Sequence, residues 1–187
     1  MSSESQPLPQ KPPTARERII ATAGPLFYRE GYRAVGVDRV IAEADVAKAT
    51  FYKHFPSKDD LIVAWIEHAE AAARDGTPPP DGPEPFFAYA DAMVDIARNV
   101  WCLGCTYQGT AAEFHDPDHP AHKAAMGVKR RVIADLERRA TAQGIADPQG
   151  TAERVFVYLE GVWASVRMFG ADAPLSGARD AIRRLAA

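Results

Sequence analysis

Several things are scarce in this sequence, and each scarcity narrows the reading. Only two of the 187 residues are cysteine, Cys102 and Cys105. With no export signal alongside them, a reducing cytoplasm is the expected compartment. No stretch approaches the roughly 20 apolar residues that span a bilayer, so no membrane partner is expected. The opening MSSESQPLPQKPPT lacks the apolar core of a secretory signal, and its Ser, Pro and Gln read as a disordered arm over 1–13. Basic charge is not in excess either: 22 Lys/Arg against 25 Asp/Glu leave a net −3. Taken over the whole chain, that balance does not suggest a nucleic-acid binder. Strict apolar/polar alternation is also missing, so no strand is expected.

What is present is helical periodicity, within a 47% hydrophobic composition that suits a globular fold. Ile19, Ile20, Ala23 and Phe27 repeat at helical spacing. Thr14 with Glu17 forms a capping box before them, and Gly31 stops the helix. Pro25 interrupts this stretch and removes one backbone hydrogen bond. Short helices follow over about 38–43 and 48–54. Ser57 with Asp60 caps a fourth, which runs toward Arg74. The stretch 75–85 holds five prolines and two glycines, so it reads as a loop. Further helices are expected over about 85–101, 103–114 and 120–143. Asp147-Pro148 starts another, to about Gly170, and a last covers about 176–186. The total is nine helices.

Charge becomes informative once it is localised. Between Val46 and Lys58 lie three lysines, one histidine and no carboxylate, so a basic face can exist on an acidic chain. This run belongs to GVDRVIAEADVAKATFYKHFPSKDDL (36–61), two short helices joined by a tight turn at Ala44-Asp45-Val46. Compact residues open the second helix (Ala47, Lys48, Ala49, Thr50), and the aromatics Phe51, Tyr52 and Phe55 follow. A recognition helix needs this arrangement: small groups that reach base edges and a rear face that packs on the first helix. Val40, Ile41, Ala44 and Val46 supply the buried side of that contact.

Gly31, Val37, Ile41-Ala42, Ala44, Val46, the run Ala49 to Phe55 and the run Ser57 to Leu61 resemble the N-terminal signature of the tetracycline-repressor-like (TetR) family. The resemblance covers about 14–61. It implies an all-α fold with an N-terminal three-helix helix-turn-helix domain (14–60) and a C-terminal helical ligand-binding and dimerisation domain (61–187). It also implies a cytoplasmic homodimer acting as a transcriptional repressor, whose hold on double-stranded operator DNA a small-molecule effector weakens. By position, Lys48, Thr50 and Tyr52 are expected to face DNA, while Lys53, His54 and Lys58 meet phosphates. Two positions depart from the family pattern. Asp45 replaces the usual turn glycine, and aspartate tolerates a left-handed conformation better than most residues. Ala47 replaces the usual Ser/Thr cap, at a cost of roughly 1 kcal/mol.

Beyond residue 61 the signals weaken. Trp65, Phe86, Met93, Trp101, Tyr107, Phe156 and Trp163 are candidates to line a ligand cavity, with Glu113 as a polar group that orients the ligand. Such a lining suits an apolar or aromatic effector, although aromatic residues at helical spacing also serve as ordinary core. Val155, Leu159, Val162, Trp163 and Val166, with Ile182 and Leu185, are candidates for a two-fold interface. That pairing would set the recognition helices roughly 34–36 Å apart on a palindromic operator. Cys102-Leu-Gly-Cys105 is a C-x-x-C, with His115, His119 and His122 nearby. It leaves open a redox- or metal-responsive regulator on the same scaffold and, at a greater distance, a small redox enzyme. The zinc-site spacing and the βαβ context that would favour these are missing, so neither a metal, a cofactor nor an enzymatic activity is expected.

Overall fold

The computed structural model describes residues 12–100 and 103–187. Most of the expected arm at 1–13 lies outside the described residues, as do Trp101 and Cys102. Among the described residues are nine α-helices and no strand. They are α1 (Ala15–Glu30), α2 (Val37–Glu43), α3 (Lys48–His54), α4 (Lys58–Asp75), α5 (Pro85–Asn99), α6 (Thr106–Glu113), α7 (Pro120–Ala142), α8 (Pro148–Phe169) and α9 (Ala178–Leu185). A single 3-10 turn, Gly170–Asp172, separates the last two.

The helix starts follow from local chemistry. Thr14 accepts from the Glu17 amide while the Glu17 carboxylate takes the Thr14 N–H at 2.7 Å, and Ser57 and Asp60 repeat the device at α4. Each box satisfies amides that the first helical turn leaves without intrahelical partners. Asp147 accepts from the Gly150 amide at 3.0 Å to open α8, with proline next to it. α1 continues unbroken through Pro25, which is exposed. α6 is shorter than the periodicity suggests. The Tyr28 hydroxyl donates to the Gly104 carbonyl (2.9 Å) and accepts from the Leu103 amide (2.8 Å), committing that backbone to a contact with α1 instead of a helical turn.

Packing divides into two hydrophobic clusters. The first gathers α1 to α4 around Ile19, Phe27, Val40, Phe51, Phe55, Leu61 and Trp65, and takes in Ala121 and Val128 of α7. It continues along α4 as far as Ala69, so the first two thirds of α4 pack as part of the N-terminal head. At Gly24, a Cβ would lie only 2.3 Å from the Trp65 ring. The missing side chain is what lets the α4 indole lie on the α1 backbone. The second cluster joins α5, the later half of α7, α8 and α9 around Phe86, Leu136, Val155, Leu159, Val166 and Ile182. α7 packs against α4, α5, α6 and α8 and so runs through both.

The α5–α9 contact is dressed with ion pairs. Arg179 meets Asp95 at 2.7 Å and Arg183 meets Asp91 at 2.9 Å. In the 76–84 loop the proline-rich backbone is held by Arg139 of α7, which is 3% exposed. Its guanidinium donates to the carbonyls of Pro78, Pro79 and Pro85 at 3.0–3.3 Å and stacks 4.3 Å over the Tyr89 ring. These acceptors replace the water that a buried guanidinium loses.

Candidate nucleic-acid interface and effector cavity

α2 and α3 meet through the turn at Ala44–Val46. Asp45 there adopts φ +50°, the left-handed conformation that aspartate tolerates. Arg18 of α1 reaches the carbonyls of Ala44 and Asp45, each at 3.5 Å. Ala47 begins α3 with no side-chain cap, so the recognition helix is held mainly by its rear face. Phe51 and Phe55 are buried, with ring centres 5.9 Å apart. Tyr52 stays 44% exposed, edge-on to Phe51.

Lys48 and Lys53 are exposed, and Thr50 and His54 are half-buried. The Lys48 ammonium sits 3.0 Å from Asp38 of α2, which holds its pKa above the ordinary lysine range. This pair is fully solvated, so a phosphate can replace Asp38 at little cost. Lys58 is half-buried at the start of α4, and burial lowers its pKa, partly offset by the Glu113 charge nearby.

A cavity of about 530 Å³ lies between α4, α5, α7 and α8, closed on one side by the 77–80 loop. Met93, Tyr107, Phe156 and Trp163 line it, as expected from the sequence. Trp65, Phe86 and Glu113 do not. Trp65 is spent on the α1 contact at Gly24, and Phe86 is fully buried in the second cluster. Glu113 instead accepts from the amides of Tyr32 and Arg33, each at 2.9 Å. Trp101 lies outside the described residues.

Sequence reading missed the polar wall of this cavity. Lys129 of α7 pairs with Glu160 of α8 at 2.5 Å, within 6 Å of the Tyr107 and Phe156 ring centres, and Gln108 donates to the same carboxylate at 2.9 Å. Glu70, Arg74, Arg131, Asp135, Arg138 and Arg139 complete it. Burial pushes the Tyr107 phenol well above its ordinary pKa. The signal was available in the (i, i+4) charges of α4 and α7, but such spacing usually marks a solvated face.

One helix belongs to both regions. Cys105, Thr106 and Tyr107 at the start of α6 line the cavity. The same helix is hydrogen-bonded to the end of α1: the Tyr32 hydroxyl meets Thr106 (3.1 Å) and Thr110 (2.8 Å), and Glu113 holds the backbone that follows. Tyr32 also packs on Phe27 and Phe114, whose rings lie 5.1 and 5.7 Å away.

Known proteins share this fold. The family model described as "Bacterial regulatory proteins, tetR family" matches residues 19–65. A solved TetR-family transcriptional regulator from Streptomyces coelicolor superposes with a TM-score of 0.79 at 31% identity, covering 92% of this chain and 94% of that one. The chain belongs to the TetR family of transcriptional regulators. Among curated relatives, the regulator YerO of Bacillus subtilis is 36% identical over 53 residues, 28% of this chain and 18% of its own length. The regulator TcmR of Streptomyces glaucescens is 28% identical over 153 residues, 79% of this chain and 61% of its own length. The chain thus spans less than two thirds of either relative. TetR-family regulators are helix-turn-helix DNA-binding proteins, typically repressors and generally not enzymes.

Two further expectations look different on this TetR scaffold. Val155, Leu159, Val162, Trp163, Val166 and Ile182 are all buried within the chain's own core, because that face of α8 packs on α5 and α7. The large apolar side chains that α8 leaves exposed are Val157, Met168 and Phe169. The redox or metal alternative is not favoured. Cys102 lies outside the described residues, and Cys105 is a buried thiol in the cavity wall. His119 stacks on Phe114 at 4.3 Å and His122 bonds the Phe114 carbonyl at 2.7 Å. Among the described residues no group of three His, Cys, Asp or Glu is placed to hold a metal ion. Among the described residues no helix is long and apolar enough to cross a membrane.

Proposed function

We propose that this chain is a repressor that binds a palindromic operator as a homodimer and is released when a small apolar or aromatic effector occupies the α4–α8 cavity. In this reading residues 14–60 form the DNA-binding domain and 61–187 the sensing and dimerisation domain, and the protein acts in the cytoplasm. Lys48, Thr50 and Tyr52 face the operator DNA, and Lys53, His54 and Lys58 meet phosphates. Lys58, like Thr50 and His54, is half-buried.

The observation that carries the reading is the double role of α6, whose first turn lines the cavity while its side chains grip Tyr32 and Arg33 beside the head. A ligand that displaces this turn changes contacts that hold the head in place. The differential contact is what an effector needs to shift a two-state equilibrium. For the dimer, Val157, Gly161, Ala164 and Met168 form an exposed stripe along α8, with open space at Gly161 that allows close approach of a second copy. Selection of bound sequences from a random DNA library tests the proposal. Recovery of a palindrome with half-sites about one helical turn apart supports it, and a single unpaired half-site would overturn it.

A further inference from the structure

The chain carries a net negative charge, but its cavity has the opposite sign. Five cations line it (Arg74, Lys129, Arg131, Arg138, Arg139) against three carboxylates (Glu70, Asp135, Glu160). Each carboxylate is already shared. Arg131 takes Glu70 with two bonds of 2.6 and 2.7 Å, leaving Arg74 a single 3.3 Å contact to the same group. Asp135 is divided between Arg138 and Arg139. Glu160 serves both Lys129 and Gln108.

Burial orders these groups. The Arg74, Arg131 and Arg138 side chains are 56–70% exposed, whereas the Glu70, Asp135 and Glu160 side chains are 17–28% exposed. The guanidinium groups therefore stand at the mouth, with their carboxylates further in. Behind them the walls are apolar, with Met93 and Trp163 each 8% exposed. Arg139 is sealed by three carbonyls and the Tyr89 ring, so it adds charge to the field without offering donors to a ligand. An organic cation finds the inner aromatic position between Tyr107 and Phe156 already taken by Lys129.

We propose that the effector is an amphipathic anion, its apolar or aromatic body on the Met93–Phe156–Trp163 wall and its carboxylate or comparable anionic group at the Arg74 and Arg138 guanidinium groups. This rests on the reading of the cavity as the effector site. Guanidinium groups hold carboxylates through paired, charge-assisted bonds, and those two have the fewest competing contacts at the mouth.

The test uses three probes with one body: pyrenebutyrate, pyrenebutanol and pyrenebutylamine, titrated by fluorescence into the full-length protein. The anion is expected to bind about tenfold or more tighter than the alcohol, with the amine weakest. Arg74→Gln with Arg138→Gln should erase the preference for the anion and leave the alcohol unchanged. Filling the cavity with Ala73→Trp, checked for fold by circular dichroism, should weaken all three. An alcohol or amine binding as tightly as the anion would overturn the inference and leave the cavity reading standing. Binding that Ala73→Trp leaves untouched, or the failure of all three probes to bind, would overturn the cavity reading itself.

Discussion

Replacing Glu113 by alanine isolates one of the contacts through which α6 couples sensor and head. In the native protein its carboxylate accepts two amide N–H bonds of 2.9 Å, from Tyr32 and Arg33. The first is part-buried and the second exposed, so the two losses are unequal. Hydrogen bonds to a charged group contribute about 1.5–3 kcal/mol when the donor cannot be rehydrated, and well under that when water takes over. The expected loss is therefore about 2–3 kcal/mol, nearly all of it from the Tyr32 amide. For a chain of this size that is a fall of roughly 5–10 °C in Tm. Urea titration followed by tryptophan fluorescence measures it directly. Glu113→Gln should recover part of the loss, because its amide carbonyl can serve the part-buried Tyr32 N–H, without the carboxylate charge, while its NH2 group faces the exposed Arg33 amide. A loss below about 0.5 kcal/mol for the alanine variant would refute the reasoning and leave the Tyr32 bonds to Thr106 and Thr110 as the hold of α6 on the head.

Three further outcomes follow from the same structure. Gly24→Ala gains about 1 kcal/mol of helix propensity but drives a Cβ to 2.3 Å from the Trp65 ring. Overpacking of about 1–3 kcal/mol should win, and thermal unfolding should show destabilisation; a stabilised variant would mean that the indole moves freely. Lys48→Ala should lower operator affinity and flatten its salt dependence by about one ion per chain, and an unchanged slope would remove Lys48 from the DNA contacts. The Arg131 guanidinium holds the Glu70 carboxyl below its ordinary value of about 4.5. A depressed folded-state pKa contributes stability that is complete above the unfolded value and lost as pH falls through the folded one. Stability should therefore decline as pH drops below about 4.5, and Arg131→Gln should make that decline shallower in urea midpoints taken across the acid range.

The parts of this molecule legible in its sequence are those set by neighbours a few residues apart. The Thr14–Glu17 and Ser57–Asp60 boxes, the Asp147-Pro148 start and the Asp45 turn all stand where local chemistry puts them. The helix-turn-helix was readable for the same reason, its spacing being contained in some two dozen residues. Contacts between distant segments were not. Glu113 looks like any polar residue near an aromatic stretch until α1 and α6 are brought side by side. Trp65 looks like a ligand-facing aromatic until Gly24 is seen beneath it. The charges of α4 and α7 repeat as a solvated face would, and only the approach of α8 shows that Glu70, Lys129 and Arg131 border a cavity. On α8, both the inner and the outer stripe are apolar. The choice between core and partner surface was made by packing against α5 and α7.

The central claim is that the state of the cavity is felt at the recognition helix. The most direct test needs no knowledge of the natural effector: the operator affinity of Ala73→Trp, whose indole permanently occupies part of the cavity, compared with wild type on the selected palindrome at fixed salt. Filling the space beside α4 and α6 should weaken operator binding by about tenfold or more, within the range of allosteric coupling free energies. A folded Ala73→Trp dimer that binds the operator as tightly as wild type would contradict the account.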